Sequence, residues 1–403
     1  MKKTLVAIAA LAATGAYAQS TVTIDGIMDA NYMNAKAYGQ GYSLVNQSGA
    51  RTTTFKFTGT EDLGGGTKAK FRFEVQPSII ASNNNAFNTT GSDNGAGTVI
   101  ANGTSQTTSR VAAQPGLVGP GYNFVGVEGN FGEVQLGTIN TATLDAFGAG
   151  STFGTGIGSG YNSGFVFGNL TRVETAGAYF TPTMSGFKGR ALIGTSNDSQ
   201  YGSTTGLILR RSATTELGLD FTQGPLKLTF ANLKVKTSPN EAAATTAAAA
   251  ASNVTTTTNT LGASYQLGSL KVGYVIQNQA NNAGSDLDSV ARKLSTSANM
   301  LYTRYDMGAS RILLAAGARK TNNGVVTVTS TLADTSLAGL KNTFFGYGLE
   351  HDLSKRTFVY LRGSNQTVND LSFTSVVVNG ATLTAMPTDK KISITAVGVS
   401  HSF

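Results

Sequence analysis

The sequence predicts an all-β fold, a closed barrel of sixteen antiparallel strands crossing a membrane, and three observations predict it. Hydrophobic residues make up 40% of the chain and charged residues only 13%, with 49 glycines. That is too little charge for a soluble surface, yet beyond residue 18 no run reaches the roughly eighteen apolar residues that a helical span needs. Polar and apolar residues instead alternate with a period of two, as in strands with one watery and one lipid face. Finally, the connections between these segments alternate between short and long. An even-stranded membrane barrel has that layout, and a soluble sandwich has no reason to gather its long loops at one end. Closure follows, because an open edge in hydrocarbon leaves amides unpaired at roughly several kcal/mol each.

Taken in order, Met1-Lys2-Lys3, the apolar run Leu5 to Ala13 and Ala16-Tyr17-Ala18 read as a signal peptide, residues 1–18, cleaved before Gln19. The barrel is then expected over 19–403. Val22, Ile24, Met28 and Tyr32 alternate with Thr23, Asp25, Asp29 and Asn31 in strand one, and a polar loop is expected over 33–50. Phe55 and Phe57 flank Lys56 in strand two, and Gly64-Gly65-Gly66 turns the chain. Strand three sets Ala69, Phe71, Phe73 and Val75 against Lys68, Lys70, Arg72 and Glu74. Four consecutive charges on one face require water on that face. The same pattern places strands near 121–129, 132–138, 172–181, 187–195, 213–222, 225–236, 258–267, 270–279, 294–306, 310–321, 341–352, 356–367 and 389–403. In the last strand Val397, Val399, His401 and Phe403 share the lipid side, with Phe403 and His401 at the interfacial girdle. Long connections fall at 79–120, 139–171, 196–212, 237–257, 280–293, 322–340 and 368–388; the Ala-rich run 241–253 reads as exposed low complexity or a short helix.

Several function classes drop out. There is no Cys, so disulfides and thiolate metal sites are impossible, and no metal or other cofactor is expected. The net charge of +8 falls by two with loss of Lys2 and Lys3, and the bases are dispersed singly, which argues against nucleic-acid binding. The two histidines, His351 and His401, both belong to the short-turn rim, leaving an enzyme without a base near any outer-surface site. Gly154-Thr-Gly156-Ile-Gly158 lacks the strand-then-helix setting of a phosphate cradle.

The stretches Ser20-Thr-Val-Thr-Ile-Asp-Gly-Ile-Met-Asp-Ala30, Phe57-Thr-Gly-Thr-Glu-Asp-Leu-Gly-Gly-Gly66 and Val125-Gly-Val-Glu-Gly-Asn-Phe-Gly-Glu-Val-Gln-Leu-Gly137 carry a family likeness. Leu267-Gly-Ser-Leu-Lys-Val-Gly273, Asp352-Leu-Ser-Lys-Arg-Thr357 and the terminal Val-Gly-Val-Ser-His-Ser-Phe join them. On these residues the chain resembles the Gram-negative trimeric general porins of the betaproteobacterial, neisserial-like type. The resemblance implies a 16-stranded antiparallel transmembrane β-barrel with short periplasmic turns, long extracellular loops and an inward-folded third loop, here Ile139 to Thr171. It further implies a homotrimer in the cell outer membrane, in contact with lipid and lipopolysaccharide, passing small hydrophilic solutes and ions. Bases that the family pattern leads one to expect are replaced by Thr54, Thr58, Gly121, Thr138, Ala178 and Ser402. A basic ladder and its selectivity are therefore not inherited with the fold.

By alternation Lys56, Lys70, Arg72, Arg172, Lys188 and Arg190 face the lumen, with Glu74, Glu133 and Glu174 among them, and Asp145 lies on the third loop. Two readings stay open: these charges set ion preference, or they are wall residues paired across strands. The channel reading is a passive pore with a mild anion preference. Its rivals are a substrate-specific channel and a surface adhesin or receptor whose binding lies in the 79–120 loop.

Overall fold

The computed structural model describes residues 21–37, 40–77, 79–80, 118–161, 167, 170–196, 200–203, 206–239, 254–283, 294–323, 325–328, 333–336, 339–367, 369, 376–378, 381–383 and 391–403. The expected signal peptide, most of the second long loop and the 241–253 run lie outside the described residues. Sixteen strands form the wall. They are β1 (Thr21–Ala37), β2 (Thr54–Gly64), β3 (Thr67–Pro77), β4 (Asn123–Gly129), β5 (Gly132–Asn140), β6 (Arg172–Phe180), β7 (Phe187–Ser196) and β8 (Gly206–Gln223) in the first half. The second half comprises β9 (Leu226–Pro239), β10 (Val254–Leu267), β11 (Leu270–Ala283), β12 (Leu294–Met307), β13 (Ser310–Asn323), β14 (Lys341–Asp352), β15 (Thr357–Thr367) and β16 (Lys391–Ser402).

Each strand pairs antiparallel with its neighbours in the chain, and β16 returns to β1 with a register from Ile27↔Ser402 to Ala37↔Ile392. The chain terminus completes the seam. Phe403 N–H donates to the Gly26 carbonyl at 3.1 Å, and Gly26 N–H donates to the Phe403 carbonyl at 3.2 Å. The Phe403 ring lies across Gly26, which has no side chain to displace it, and 5.9 Å from the ring of Phe55. Outward positions are apolar along the wall, as at Val22, Ile24, Phe73, Val125, Leu217, Leu314 and Val397, so that burial in lipid replaces a conventional core.

Two regions depart from the sequence reading. Residues 33–50 are mostly strand: β1 runs on to Ala37, and Gln40–Gln47 pairs back against it before the chain bends inward at 48–53. Strands β8 to β11 likewise rise past their expected long-loop ends, β8 beginning at Gly206 and β10 at Val254. In these extensions the sequence does not alternate, as in Leu207-Ile208-Leu209-Arg210-Arg211, Leu44-Val45-Asn46-Gln47 and Thr255-Thr256-Thr257, so a period of two carries no signal there. The short segments Gln40–Gln47, Val118–Pro120 and Gln200–Ser203 extend the same wall.

The third loop folds into the lumen. Its first part is a helix, α1 (Ala142–Gly150), capped by Thr141, whose hydroxyl oxygen accepts the Leu144 N–H. The helix lies on the inner wall over β9 and β10. Gly262 and Gly273 make this approach possible, because a Cβ there would strike the carbonyl oxygens of Ala146 and Gly150. Phe147, Phe153, Tyr161 and Phe167 then pack with Tyr302, Met300, Leu313 and Phe344 into an apolar cluster between loop and wall.

Candidate pore constriction

Glu216 on β8 organises the start of α1. Its buried carboxylate accepts the backbone N–H groups of Ala142 and Thr143, the latter at 2.8 Å, and the Thr143 hydroxyl at 2.9 Å. A negative charge at a helix N-terminus satisfies donors that the helix itself leaves unpaired and complements its dipole. Glu216 was not singled out from the sequence, although alternation through Glu216-Leu217-Gly218-Leu219 puts it inside.

One turn along, the Asp145 carboxylate accepts from Arg190 at 2.8 Å. Arg190 is buried, also donates to the Asn140 carbonyl at 3.3 Å, and lies 5.5 Å above the Phe180 ring. Asn140 links onward: its side-chain oxygen accepts from Arg172 at 2.9 Å, and Arg172 stands 3.8 Å from Glu74. Glu74 pairs in turn with Arg72, whose guanidinium lies 5.0 Å over Tyr122. Burial pushes the Tyr122 hydroxyl up to about 12, so it remains the protonated donor to Gln135. The structure therefore joins Arg72, Glu74, Arg172, Arg190 and Asp145 in one chain of charges across β3, β5, β6 and β7.

The remaining predicted wall charges sit outside that chain. Lys56 pairs with Asp25 on β1. Lys70 reaches Glu128 and Glu133, each at 3.0 Å. The Lys188 ammonium lies 5.1 Å over Phe180 and is in register with Asp220. Glu174 stands beside the register shift between Gly137 and Ile139, where simple alternation does not carry across. Ala178, at a position where a base is anticipated by family likeness, belongs instead to an apolar pad with Ile139, Val173 and Leu192.

On the other side of the lumen, Arg362 ties three parts together. It pairs with Glu350 and donates to the Ala50 carbonyl at 3.3 Å and the Phe153 carbonyl of the third loop at 3.0 Å. Glu350 also pairs with Arg311, which holds Asp352 at 2.8 Å. Asp29 accepts the N–H groups of Gly49 at 2.8 Å and Arg51 at 3.0 Å and the Tyr360 hydroxyl at 2.7 Å. Ile157 N–H closes the connection on the Gly49 carbonyl at 2.7 Å. The bend at 48–53 and the tip of the third loop are thus fixed to each other and to β15.

Two inward lysines were missed, Lys227 on β9 and Lys271 on β11. Each lies on the inward face, Lys227 in the row of Thr229 and Ala231, Lys271 in that of Gly273 and Val275, and neither forms an ion pair among the described residues. Lys271 is in register with Arg304, whose own charge is taken up by Asp306 at 2.8 Å. Neither lysine lies in a visible cluster in the sequence; only the closed register brings β9, β11 and β12 to one sector.

At the short-turn rim, Val399, His401 and Phe403 point outward. His401 Nδ1 lies 2.8 Å from the Thr357 hydroxyl, and His351 Nδ1 lies 2.8 Å from the Ser310 hydroxyl. Both contacts lie at the short-turn rim where the sequence places the two histidines, and Asp352 beside His351 is held by Arg311. Among the described residues no three His, Cys, Asp or Glu side chains converge as metal ligands.

A closed wall with a loop packed inside its lumen narrows the setting, and comparison with known proteins decides it: the family model of the Gram-negative porins matches residues 4–371. The chain belongs to the Gram-negative porin family. Its barrel is accordingly a channel of the outer membrane. It is 27% identical over 421 residues to outer membrane porin protein 32 of Delftia acidovorans, covering 100% of both chains. It is 25% identical to an outer membrane porin protein of Bordetella pertussis, covering 90% of this chain and 94% of that one. Among solved structures, an anion-selective porin from Comamonas acidovorans superposes with a TM-score of 0.60 at 20% identity, over 96% of this chain and 100% of that one. OmpT of Vibrio cholerae, in a trimer form, gives 0.61 at 13% identity, over 95% and 99%.

Proposed function

We propose that this porin is a homotrimeric, water-filled pore through which small hydrophilic solutes and ions diffuse passively, with a mild preference for anions. The observation that carries the preference is the inward pair Lys227 and Lys271, whose charges no carboxylate within ion-pair distance answers among the described residues. The other inward bases are largely offset: Lys56 by Asp25, Lys70 by Glu128 and Glu133, Arg72 by Glu74, and Arg190 by Asp145. Pairing of that kind sets a transverse field at the constriction without adding net charge, so it orients a solute more than it selects an ion. The relative described as anion-selective and the neighbour solved as a trimer support the same reading. The signal peptide of residues 1–18 and passage without any chemical step belong to this proposal. Single-channel recording in a planar bilayer across a salt gradient tests it. Conductance steps in threes with an anion-directed reversal potential are expected; a cation-directed reversal overturns the preference, and absence of conductance from the folded barrel overturns the channel.

A further inference from the structure

One sector of the inner wall is lined by rings. Tyr122, Phe124 and Phe180 lean against the apolar pad of Ile139, Val173, Ala178 and Leu192, and each ring is only partly buried. The Tyr122 and Phe124 rings lie 5.0 Å apart, centre to centre. Phe124 is level with Ala176 through Gly137, so from there to Phe180 the stripe runs four residues, roughly 13 Å, along β6. Arg190, the partner of Asp145, is in register with Phe180 and puts the stripe at the constriction. Seating the third loop accounts for Ile139, where β5 leads into it. It does not account for Phe180, at the far end of β6 from the loop, or for Tyr122 and Phe124 at β4. Contiguous apolar surface left open to water marks a binding site, and three rings on one wall of a polar lumen are such a surface.

The charges around the stripe identify what it takes. The Arg72 guanidinium lies 5.0 Å over Tyr122, and the Arg72 side chain is 28% exposed while that of its partner Glu74 is 5% exposed. At that end the wall shows the lumen its base and hides its acid. At the other end the Lys188 ammonium lies 5.1 Å over Phe180 and has no carboxylate within ion-pair distance among the described residues. Asp220, in register beside it, accepts from the Thr229 hydroxyl at 2.7 Å. The open carboxylates nearby, Glu128 and Asp145, are each held by a base, Lys70 and Arg190. A cation over the face of a ring leaves the edge of that ring and the rest of the ammonium free for a solute. A flat apolar body fits the rings and a carboxylate fits the ammonium, so one molecule carrying both meets the whole stripe.

We propose that Phe180, Lys188 and the Tyr122–Phe124 pair form a transit subsite for solutes that carry a carboxylate on an aromatic ring. The subsite rests on the reading of the protein as a diffusion pore and names a solute class within its anion preference. Benzoate is the probe, with acetate lacking the ring and benzyl alcohol lacking the charge. Each is added to the single channel of the full-length protein in potassium chloride, and block is read as a fraction of that channel's own open current. Benzoate is expected to half-block at a concentration at least about 5-fold below that of either comparator, the worth of one ring contact. Phe180→Leu is expected to raise the benzoate concentration about 5-fold and Phe180→Tyr to keep the parent value. Lys188→Gln is expected to raise it about 3-fold, as for loss of a solvent-exposed ion pair. Equal block by benzoate and acetate overturns the proposal, as does a parent-like benzoate response in Phe180→Leu or in Lys188→Gln. A loss in Phe180→Tyr as deep as in Phe180→Leu overturns it too, because the effect is then one of packing and not of the ring. A conducting barrel without benzoate preference removes the subsite and leaves the pore standing, whereas a folded barrel without conductance removes both.

Discussion

Removing Lys227 and Lys271 separates net lumen charge from paired lumen charge. An ion passing about 7 Å from an ammonium group in water interacts with it by roughly 0.6 kcal/mol. Screening over a Debye length of about 10 Å at 0.1 M salt leaves about 0.3 kcal/mol. An anion gains that energy and a cation loses it, so each unpaired lysine changes the anion-to-cation permeability ratio by about 3-fold. Lys227→Gln with Lys271→Gln is expected to lower the ratio about 8-fold, read as a shift of the reversal potential across a tenfold potassium chloride gradient. The matched control deletes a whole ion pair: Asp25→Asn with Lys56→Gln removes one charge of each sign. Its net change is zero, and the ratio is expected to stay within about 1.5-fold of the parent at a distance where the pair acts only as a dipole. Single replacement of Lys56 is a poor test, because it strips Asp25 of its partner and changes net charge as much as loss of Lys227 does. Equal shifts from the two double variants, or an unmoved reversal potential after loss of Lys227 and Lys271, refute the reasoning.

Further outcomes follow from the anchoring of the third loop and the closing seam. Glu216→Gln replaces a charged acceptor at the start of α1, where hydrogen bonds to a charged group are worth about 1.5–3 kcal/mol, and should make the open channel flicker; a trace as quiet as the parent's counts against the anchor. Arg362→Met removes the donor shared by Ala50, Phe153 and Glu350, and breaking such a buried pair costs about 3–5 kcal/mol. It should lower the temperature at which the folded band converts to the unfolded one on a gel, and an unchanged transition removes the latch. Gly26→Val puts a side chain into the Phe403 ring and should slow refolding into vesicles, whereas Gly41→Val, with open space around it, should not; similar refolding rates for the two variants refute the role of that contact in closure.

The wall was legible because lipid imposes a period of two. Phe71 and Phe73 point out while Lys70, Arg72 and Glu74 point in, and nothing but alternation was needed to say so. The rule fails where its cause is missing. Beyond the lipid-facing band nothing enforces a period of two, and Leu44-Val45-Asn46, Leu207-Ile208-Leu209 and Thr255-Thr256-Thr257 do not alternate, which is why Gln40–Gln47 read as loop and β8 and β10 read as too short. It fails again at the register shift by Glu174, where two residues of β6 stand against one of β5. The ion pairs were legible only as one of two alternatives: the partners of Lys70, at Glu128 and Glu133, lie more than fifty positions away in sequence and become neighbours through the pairing of β3 with β4 and β4 with β5. The helix α1 had a local signal in Thr141 and the run Ala142 to Gly150, but its position depends on Glu216, Gly262 and Gly273, which come from other strands.

The placement of Glu216 and Arg362 also explains why a loop can rest inside water and stay put. A loop held only by apolar contact would have to bring enough hydrophobic surface into the lumen to narrow it with grease, and solutes crossing the constriction would meet no polar groups. Here the apolar share is confined to the strip where Phe147 and Phe153 meet Tyr302, Met300 and Leu313, hidden between loop and wall. The start and the tip of the inward segment are instead fixed by charges: Glu216 receives the first amides of α1, and Arg362 donates to the carbonyl of Phe153. Each is paired with fixed backbone or with an opposite charge, so each satisfies a group that burial would otherwise leave unpaired. Asp145, between them, keeps half of its side chain open to the lumen while it holds Arg190. Charges used as anchors at the start and the tip, and as lining between them, let the same loop be held in place and wettable, and that combination is what a diffusion pore requires of its narrowest part.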